Sequence, residues 1–254
     1  MSDPDTLLFG PNRFLFLFDQ APMCRAPLPA RRAALDAPAF ADELTPIARY
    51  MAAEMNRNAA SPDARRMAEM NAFDANACIK EFMGLPWWQR ALLGDMLNQC
   101  VDRQMSYQTA ALLSWGWKVR QDGDWDHKPL IARQFHPRNP NGPQHWHLYG
   151  KTLYFYDVWS NIHYGYVGIA AGFSEAVLLD GAGLEQIGSD LVGGRLPHQD
   201  AAVAGLRRWD NAEDRAAVTM GIQLYRRRPA QVSTQDVLGL VIHSNSVTRK
   251  PYTP

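Results

Sequence analysis

The sequence has no excess of either charge. Its 254 residues carry 26 Lys and Arg against 26 Asp and Glu, so the formal net charge is zero. A protein that binds its partner mainly through phosphate groups usually has an excess of basic residues, because each neutralised phosphate needs a cation. The run Arg226-Arg227-Arg228 is the one basic stretch that stands out. The balance therefore disfavours nucleic acid as a partner, although a locally charged site remains compatible with it.

Long apolar runs are also missing. No stretch of 18 consecutive apolar residues occurs, so we expect no membrane span. The N-terminus lacks a basic segment followed by an apolar one, which excludes an ordinary cleavable signal peptide. The three cysteines are odd in number and form no CxxC pair, so neither a disulfide framework nor a zinc knuckle is indicated. Cys78 and Cys100 fall in helical patterns and are expected to be core residues.

The chain divides into a short arm and one larger domain. Residues 1–40 are predicted to form a strand followed by an extended arm rich in Ala, Pro and Arg. Residues 41–254 are predicted to form a single domain that is mainly α, with a small β-hairpin. The fold class is therefore a helical domain with a hairpin and an N-terminal strand or arm.

Four helices are expected in the first half of the domain. Thr45-Pro46 and Ser61-Pro62 each place a capping residue before a proline in the first turn. The second of these helices is expected to continue to Gly84. A third is predicted over residues 86–100 and a fourth over residues 106–119.

The pattern of residues changes in the second half of the domain. Residues 146–157 alternate as in a hairpin, with a turn at Gly150-Lys151. From Ile162 onward small and apolar residues dominate, and glycines on helices allow backbones to approach closely, which predicts a tightly packed central helix pair. Residues 210–227 form another amphipathic pattern, and Ser233 is expected to cap the last helix.

Histidine and tryptophan are concentrated in one region. Five of the seven His lie between residues 127 and 163, and five of the eight Trp lie between residues 115 and 159. Titratable side chains beside Trp and Tyr in loops and a hairpin are typical of a binding cleft. Three segments compose this candidate cleft: residues 125–128, 145–147 and 156–166.

Three kinds of chemistry are compatible with these residues. His145 and His147, two apart on a strand, could share a metal with His163 or Asp157, but the same pattern is common on an exposed hairpin face. A nuclease would use His163 as base with Lys128 or Arg133 on the phosphate. A hydrolase with two carboxylates would draw on Glu54, Asp126 and Asp157, and Glu54 on a helix face is ordinarily solvated. Composition alone does not choose among the three.

Several ordered blocks resemble the bacterial polymorphic toxin type 44 family. Residues 117–131, with Trp125-Asp126-His127-Lys128, resemble its "VRPGGxWDHKPxI" stretch. Residues 161–173 resemble "NxHYGYVGxAxGF", and the segment 210–225 resembles its closing "DDPxDxxxIxxGxxL" helix. Residues 54–58 are similar to an "EMxxN" helix of the family. The likeness spans about residues 45–225.

The resemblance implies a toxin of conflict between bacteria. Such modules are delivered by a secretion apparatus, for example type VI, and are neutralised by a dedicated immunity protein. We therefore expect export without a cleavable signal peptide and action in the periplasm of the target cell, or in its cytoplasm if the toxin is a nuclease. A short arm ahead of the domain is typical of a free-standing cargo effector.

The neutral charge and the Trp- and Tyr-rich cleft favour a sugar polymer over a polyphosphate as the substrate. The sequence thus predicts a hydrolase of the peptidoglycan glycan strand, without a metal or another cofactor. The alternatives are a nuclease toxin and a non-enzymatic toxin directed at a membrane or a partner. The predicted catalytic residues are Glu54, Asp126, Asp157 and His163, and the predicted substrate-binding residues are Trp125, Lys128, Trp159, Asn161 and Tyr164.

Overall fold

The computed structural model describes residues 41–137, 144–180 and 212–253. The predicted N-terminal strand and arm, residues 1–40, lie outside these described residues. So do Cys24, the glycines at positions 181 and 183, and Asp210.

Helices dominate the described residues, which confirms the predicted mainly α class. Ten helices and one small antiparallel sheet are present there. The helices are α1 (Leu44–Ala59), α2 (Pro62–Asn71), α3 (Ala75–Met83), α4 (Trp87–Leu93), α5 (Met96–Val119), α6 (Lys128–Gln134), α7 (Val158–Ala170), α8 (Glu175–Asp180), α9 (Ala212–Arg227) and α10 (Thr234–His243). The strands are β1 (Trp146–Tyr149), β2 (Thr152–Phe155) and β3 (Arg249–Pro251).

Capping side chains set the starts of several helices. Ser61 accepts a hydrogen bond from the Ala64 amide at 3.1 Å, as predicted, with Pro62 in the first turn of α2. Ser233 and Asp236 form a reciprocal capping box at the start of α10, also as predicted. The first helix differs from the prediction, because it begins before Thr45. The amide of Thr45 donates a hydrogen bond to the carboxylate of Asp42 at 2.8 Å.

Two predicted helix boundaries were wrong. The helix expected from Ser61 to Gly84 is two helices, because Asp74 caps a new one by accepting from the Asn76 amide at 2.8 Å. The break expected near residues 100–106 lies earlier, at Gly94, whose φ of 57° is in the left-handed region that favours glycine. Apolar periodicity continues across both breaks, so it gave no warning of them.

The hairpin occurs where the sequence predicts it. Trp146 pairs with Phe155 and Tyr149 with Thr152, and the turn between them places Gly150 at a φ of 60°. The short strand β3 adds to β2, giving the order β1-β2-β3. Three exposed residues, Arg249 to Pro251, form β3, and neither their composition nor their length predicts a strand.

A parallel helix pair, α7 and α9, forms the centre of the domain. Every residue from Val158 to Gly168 is buried. The contacts run in the same order along both helices: Asn161 bonds Asp214, Gly165 meets Val218, and Tyr166 packs edge-on against Tyr225. The two N-termini therefore lie at the same end of the pair.

Glycine permits this close approach, as the sequence predicts. A Cβ atom at Gly165 would lie 2.1 Å from the carbonyl oxygen of Val218. A Cβ atom at Gly221 would lie 2.0 Å from the carbonyl oxygen of Ile162. Since backbone rather than a flexible side chain would be struck, the two helices would have to separate to admit any larger residue.

A disulfide joins α3 to α5, which overturns the expectation drawn from the cysteine count. Cys78 and Cys100 are bonded, with their Cα atoms 5.9 Å apart. Cys100 is buried, so its predicted place in the core is correct. Spacing could not show the bond, because the two cysteines lie 22 positions apart in sequence and a turn between them returns the chain to α3.

The glycine contact yields a stability prediction. Gly221→Ala is expected to lower the free energy of unfolding by about 2–3 kcal/mol, because the added methyl group overpacks the interface of α7 and α9. Gly239→Ala is the matched control: it lies in α10, where the nearest atom to an added Cβ is 3.8 Å away. Urea denaturation followed by circular dichroism measures both. Equal stability of the two variants would contradict the close contact.

Candidate functional site

The loop between α5 and α6 carries the motif Trp125-Asp126-His127-Lys128. Trp125 is buried, packs edge-on against Trp115 at a ring-centroid distance of 5.6 Å, and donates its backbone amide to the carbonyl oxygen of Lys118 at 2.9 Å. This anchor fixes the loop on α5. The three residues that follow then reach three different surroundings.

Asp126 holds the loop closed. One carboxylate oxygen accepts from the amide of Asp122 at 3.1 Å, and the other accepts from the amide of Lys128 at 3.2 Å. Asp122 has a φ of 59°, a left-handed conformation that short polar residues tolerate better than most. Both oxygens of the predicted catalytic Asp126 are thus engaged with backbone amides, as in a capping residue.

His127 and His163 form a buried histidine pair. Their ring centroids lie 4.3 Å apart with the rings nearly perpendicular. The hydroxyl of Tyr50 lies 2.8 Å from His127 Nδ1. The side-chain amide of Asn58 donates to His163 Nε2 at 2.9 Å, so that nitrogen carries no proton.

Burial keeps the histidine pair neutral. It lowers the pKa of His127 to about 4, with a smaller contribution from the charge of Arg57. The pKa of His163 is lowered well below its ordinary value by burial, and then by His127 and Arg57. A fully buried, neutral His163 is better suited to positioning its neighbours than to exchanging protons with a polymer.

Glu54 lies on the face of α1 that adjoins this pair. It is buried, forms an ion pair with the exposed Arg57, and its charge acts on Tyr50. Burial first, and then Glu54, raise the pKa of Tyr50 to about 12. The predicted catalytic Glu54 is therefore grouped with Tyr50 and the histidine pair.

A second group, which we call the acidic pair, consists of Asp157 and Asp214. Asp157 precedes the first residue of α7 and makes no side-chain capping bond to that helix. Asp214 lies in the first turn of α9 and accepts a hydrogen bond from the Asn161 side-chain amide at 2.6 Å. The parallel arrangement of α7 and α9 brings the two carboxyl groups to one end of the helix pair.

Both carboxyl groups of the acidic pair have a raised pKa. Burial is the largest cause for Asp157, and the negative charge of Asp214 adds to it. Burial also raises the pKa of Asp214, while the hydrogen bond from Asn161 opposes this. Lys128 lowers both pKa values, so it lies within electrostatic reach of both groups. Raised pKa values of neighbouring carboxyl groups are typical of sites that transfer protons, so the acidic pair is a candidate for that role.

The histidine pair and the acidic pair are connected through adjacent residues of the loop. His127 belongs to the histidine pair, and Lys128, the next residue, lies near the acidic pair. Asp126 and Asp157 both raise the pKa of Tyr156, after burial. Of the predicted site residues, the structure thus places Asp157, Lys128 and Asn161 together around Asp214.

Three predicted substrate-binding aromatics are buried. Trp159 is 1% exposed, Trp125 6% and Tyr164 8%. Tyr164 packs edge-on against Trp115 at 5.1 Å. As placed, these rings contribute to the core, and their contact with a substrate stays a prediction.

Asp214 was not among the predicted site residues, although it falls within the third family-like block. The missing signal was geometric. A carboxylate in the first turn of a helix is usually an ordinary dipole partner, and only the parallel pairing of α7 and α9 brings it next to Asp157. Asn161, buried with its Oδ1 unpartnered among the described residues, is the other half of that contact.

The histidines of the hairpin are not gathered into a metal-ligand set. His147 Nε2 contacts the carbonyl oxygen of Phe135 at 2.5 Å, whereas His145 stacks against Tyr156 with centroids 4.6 Å apart. Within residues 41–137, 144–180 and 212–253, no three His, Cys, Asp or Glu side chains are arranged to hold a metal ion. None of the described helices is both long and apolar enough to cross a membrane.

The raised pKa of Asp157 predicts a pH-dependent effect on stability. A carboxyl whose pKa is higher in the folded state favours folding when protonated and costs stability once ionised. Asp157→Asn is therefore expected to raise Tm at pH 7, and the gain should vanish as the pH falls below the ordinary pKa of 3.8. Asp102→Asn, an exposed control on α5, should show no such trend. A lower Tm of Asp157→Asn at pH 7 would contradict the raised pKa.

Comparison with known proteins finds a family model that matches part of the chain. Residues 114–227 match the family model described as bacterial toxin 44. No curated protein and no solved structure matches the chain. The matched segment contains the loop of residues 125–128 and both central helices, whereas the "EMxxN"-like helix α1 lies outside it. The resemblance seen in the sequence is thus confirmed for residues 114–227, which are similar to the bacterial toxin 44 family.

Proposed function

We propose that this toxin is a hydrolase of the bacterial cell envelope that cleaves the glycan strand of peptidoglycan with the acidic pair. The supporting observation is that two partly buried carboxyl groups with raised pKa values lie within reach of one lysine. Hydrolysis of a glycosidic bond requires two carboxyl groups, one protonated and one ionised. An environment that separates the pKa values of two such groups assigns those two roles.

The surroundings of each group suggest its role. Burial of Asp157 and the negative charge of Asp214 both favour the protonated form of Asp157. It is therefore the proposed acid, giving its proton to the oxygen of the leaving sugar. Asp214 accepts a hydrogen bond from Asn161, which favours its ionised form. It is the proposed base toward water, or the nucleophile toward the anomeric carbon.

Other predicted site residues receive positioning roles in this proposal. Asp126 fixes the backbone of Lys128 through its amide, and Lys128 moderates the negative charge of the acidic pair. His163 packs against His127, which belongs to that loop. Glu54 adjoins the histidine pair through Tyr50. Loss of these groups should displace Lys128 rather than remove a proton donor.

The charge of the site favours a sugar polymer over a nucleic acid. Two carboxylates near one lysine repel a phosphodiester unless a divalent cation offsets their charge. A glycan strand carries no backbone phosphate and is compatible with an acidic cleft. The zero formal net charge of the chain favours the same choice.

The disulfide supports action outside the cytoplasm. Disulfides form and persist in oxidising compartments such as the bacterial periplasm and are rare in the cytosol. The bond between Cys78 and Cys100 is therefore suited to a toxin that acts on the envelope. We propose delivery by a secretion apparatus, such as type VI, and neutralisation by a cognate immunity protein.

Digestion of isolated peptidoglycan tests the proposal. The purified, oxidised protein is expected to release soluble glycan fragments with new reducing ends, detected by mass spectrometry. Asp157→Asn and Asp214→Asn should each lower the rate at least about 100-fold, the usual contribution of a positioned acid or base. Asp102→Asn, an exposed carboxylate on α5, should leave the rate unchanged.

The same preparation incubated with RNA and DNA, with and without Mg²⁺, provides the competing readout. Degradation of nucleic acid that Asp157→Asn abolishes, together with intact peptidoglycan, would replace the proposal with a nuclease. Intact peptidoglycan under conditions where a known muramidase digests it would also overturn the proposal.

A further inference from the structure

We propose that a groove between α2 and α5 is a second saccharide-binding site, which holds N-acetylated sugar units without cleaving them. The groove has a volume of about 390 Å³, within the range of ordinary ligand sites. Helix α2 supplies one wall, including Asp63 and Met67, and the C-terminal half of α5 supplies the other, including Trp117 and Lys118. The choice of sugar rests on the proposed function, whereas the groove itself does not.

Trp117 provides an aromatic platform. Its side chain is 60% exposed, an unusual state for a residue type that is mostly buried. The guanidinium of Arg120 lies 3.4 Å from the ring centroid and donates to the carbonyl oxygen of Trp117 at 2.5 Å. The indole is thus fixed at the edge of the groove. The C–H face of a pyranose ring stacks on such an exposed, rigid indole.

The polar side chains of the groove are locked in place. Lys118 Nζ lies 2.7 Å from an oxygen of Asp63 and 2.9 Å from an oxygen of Asp124. The hydrogen bonds that Lys118 donates to Asp63, and then to Asp124, raise the pKa of Lys118, so its ammonium stays charged near neutral pH. A fixed network presents oriented donors and acceptors to ligand hydroxyl groups at little entropic cost.

Ion pairing and an apolar lining residue favour one ligand class. Asp63 and Asp124 both pair with Lys118, so its ammonium is already engaged with carboxylates and is a poor ligand for a phosphate. The half-buried Leu113 lines the same groove, and its apolar atoms suit the methyl of an N-acetyl group. A neutral, hydroxyl-rich ligand with small apolar substituents therefore fits best.

The groove adjoins the loop of the proposed active site at Lys118, whose carbonyl oxygen accepts a hydrogen bond from the Trp125 amide. The ammonium of Lys118 lies 5.8 Å from the ring centroid of Trp125. That tryptophan begins the motif whose last residue, Lys128, acts on the acidic pair. A polymer bound at both the groove and the acidic pair would gain binding energy at the groove, and that energy would help to position the scissile bond at the acidic pair.

Calorimetric titration with a β-1,4-linked N-acetylglucosamine hexamer tests this site. The full chain carrying Asp157→Asn is used so that the probe is not consumed. We expect binding that Trp117→Ala weakens at least about 10-fold, the scale of losing an aromatic anchor. Trp87→Ala is the matched control, since it removes an indole that is 75% exposed on α4, and it should bind as the parent does.

Absence of hexamer binding, or equal binding by Trp117→Ala and its parent, would overturn the proposal. The peptidoglycan assay on otherwise unmodified protein separates this failure from that of the proposed function. If the protein cleaves peptidoglycan but its binding of the hexamer does not depend on Trp117, the saccharide site is wrong and the hydrolase proposal stands. If binding depends on Trp117 but no peptidoglycan is cleaved, the saccharide site stands and the hydrolase proposal is wrong.

Discussion

The contact between the backbones of α7 and α9 at Gly165 and Gly221 is the constraint on which the candidate site depends. It allows two helices to run parallel at a distance that any larger side chain would prevent. Parallel packing places both N-termini at one end, where Asp157 and Asp214 lie. A substitution at either glycine would therefore change the spacing of the acidic pair as well as the packing of the core.

Parallel pairing has an electrostatic consequence. Two helix N-termini at one end concentrate positive partial charge there, which favours carboxylates as neighbours. Burial acts in the opposite direction and is the larger effect for both groups, so their pKa values are raised. The domain thus holds two acids in a state that is costly when both are ionised. Neighbouring carboxyl groups with raised pKa values are typical of functional sites.

Local signals in the sequence were sufficient for much of the fold. The serine caps at Ser61 and Ser233, the turn at Gly150 and the glycine-rich central helix all follow from short-range rules. What these rules could not provide was pairing at a distance. The break at Gly94 and the bond between Cys78 and Cys100 depend on how α3, α4 and α5 fold back on one another.

The candidate site shows the same division. The motif of residues 125–128 was recognised, but its four side chains face different surroundings, and the buried Trp125 packs in the core instead of lining a cleft. Asp214 was missed because its partner Asn161 is 53 residues away in sequence. Composition located the region, while the helix pairing determined which carboxylates meet.

The proposed function requires the acidic pair to act on the envelope of a bacterial cell. Its most direct test is bacterial growth during expression of the chain with and without a periplasmic export signal, each in the parent form and as Asp214→Asn. We expect that only the exported parent form kills, with lysis. Killing by the cytoplasmic form, or equal killing by exported Asp214→Asn, would contradict it.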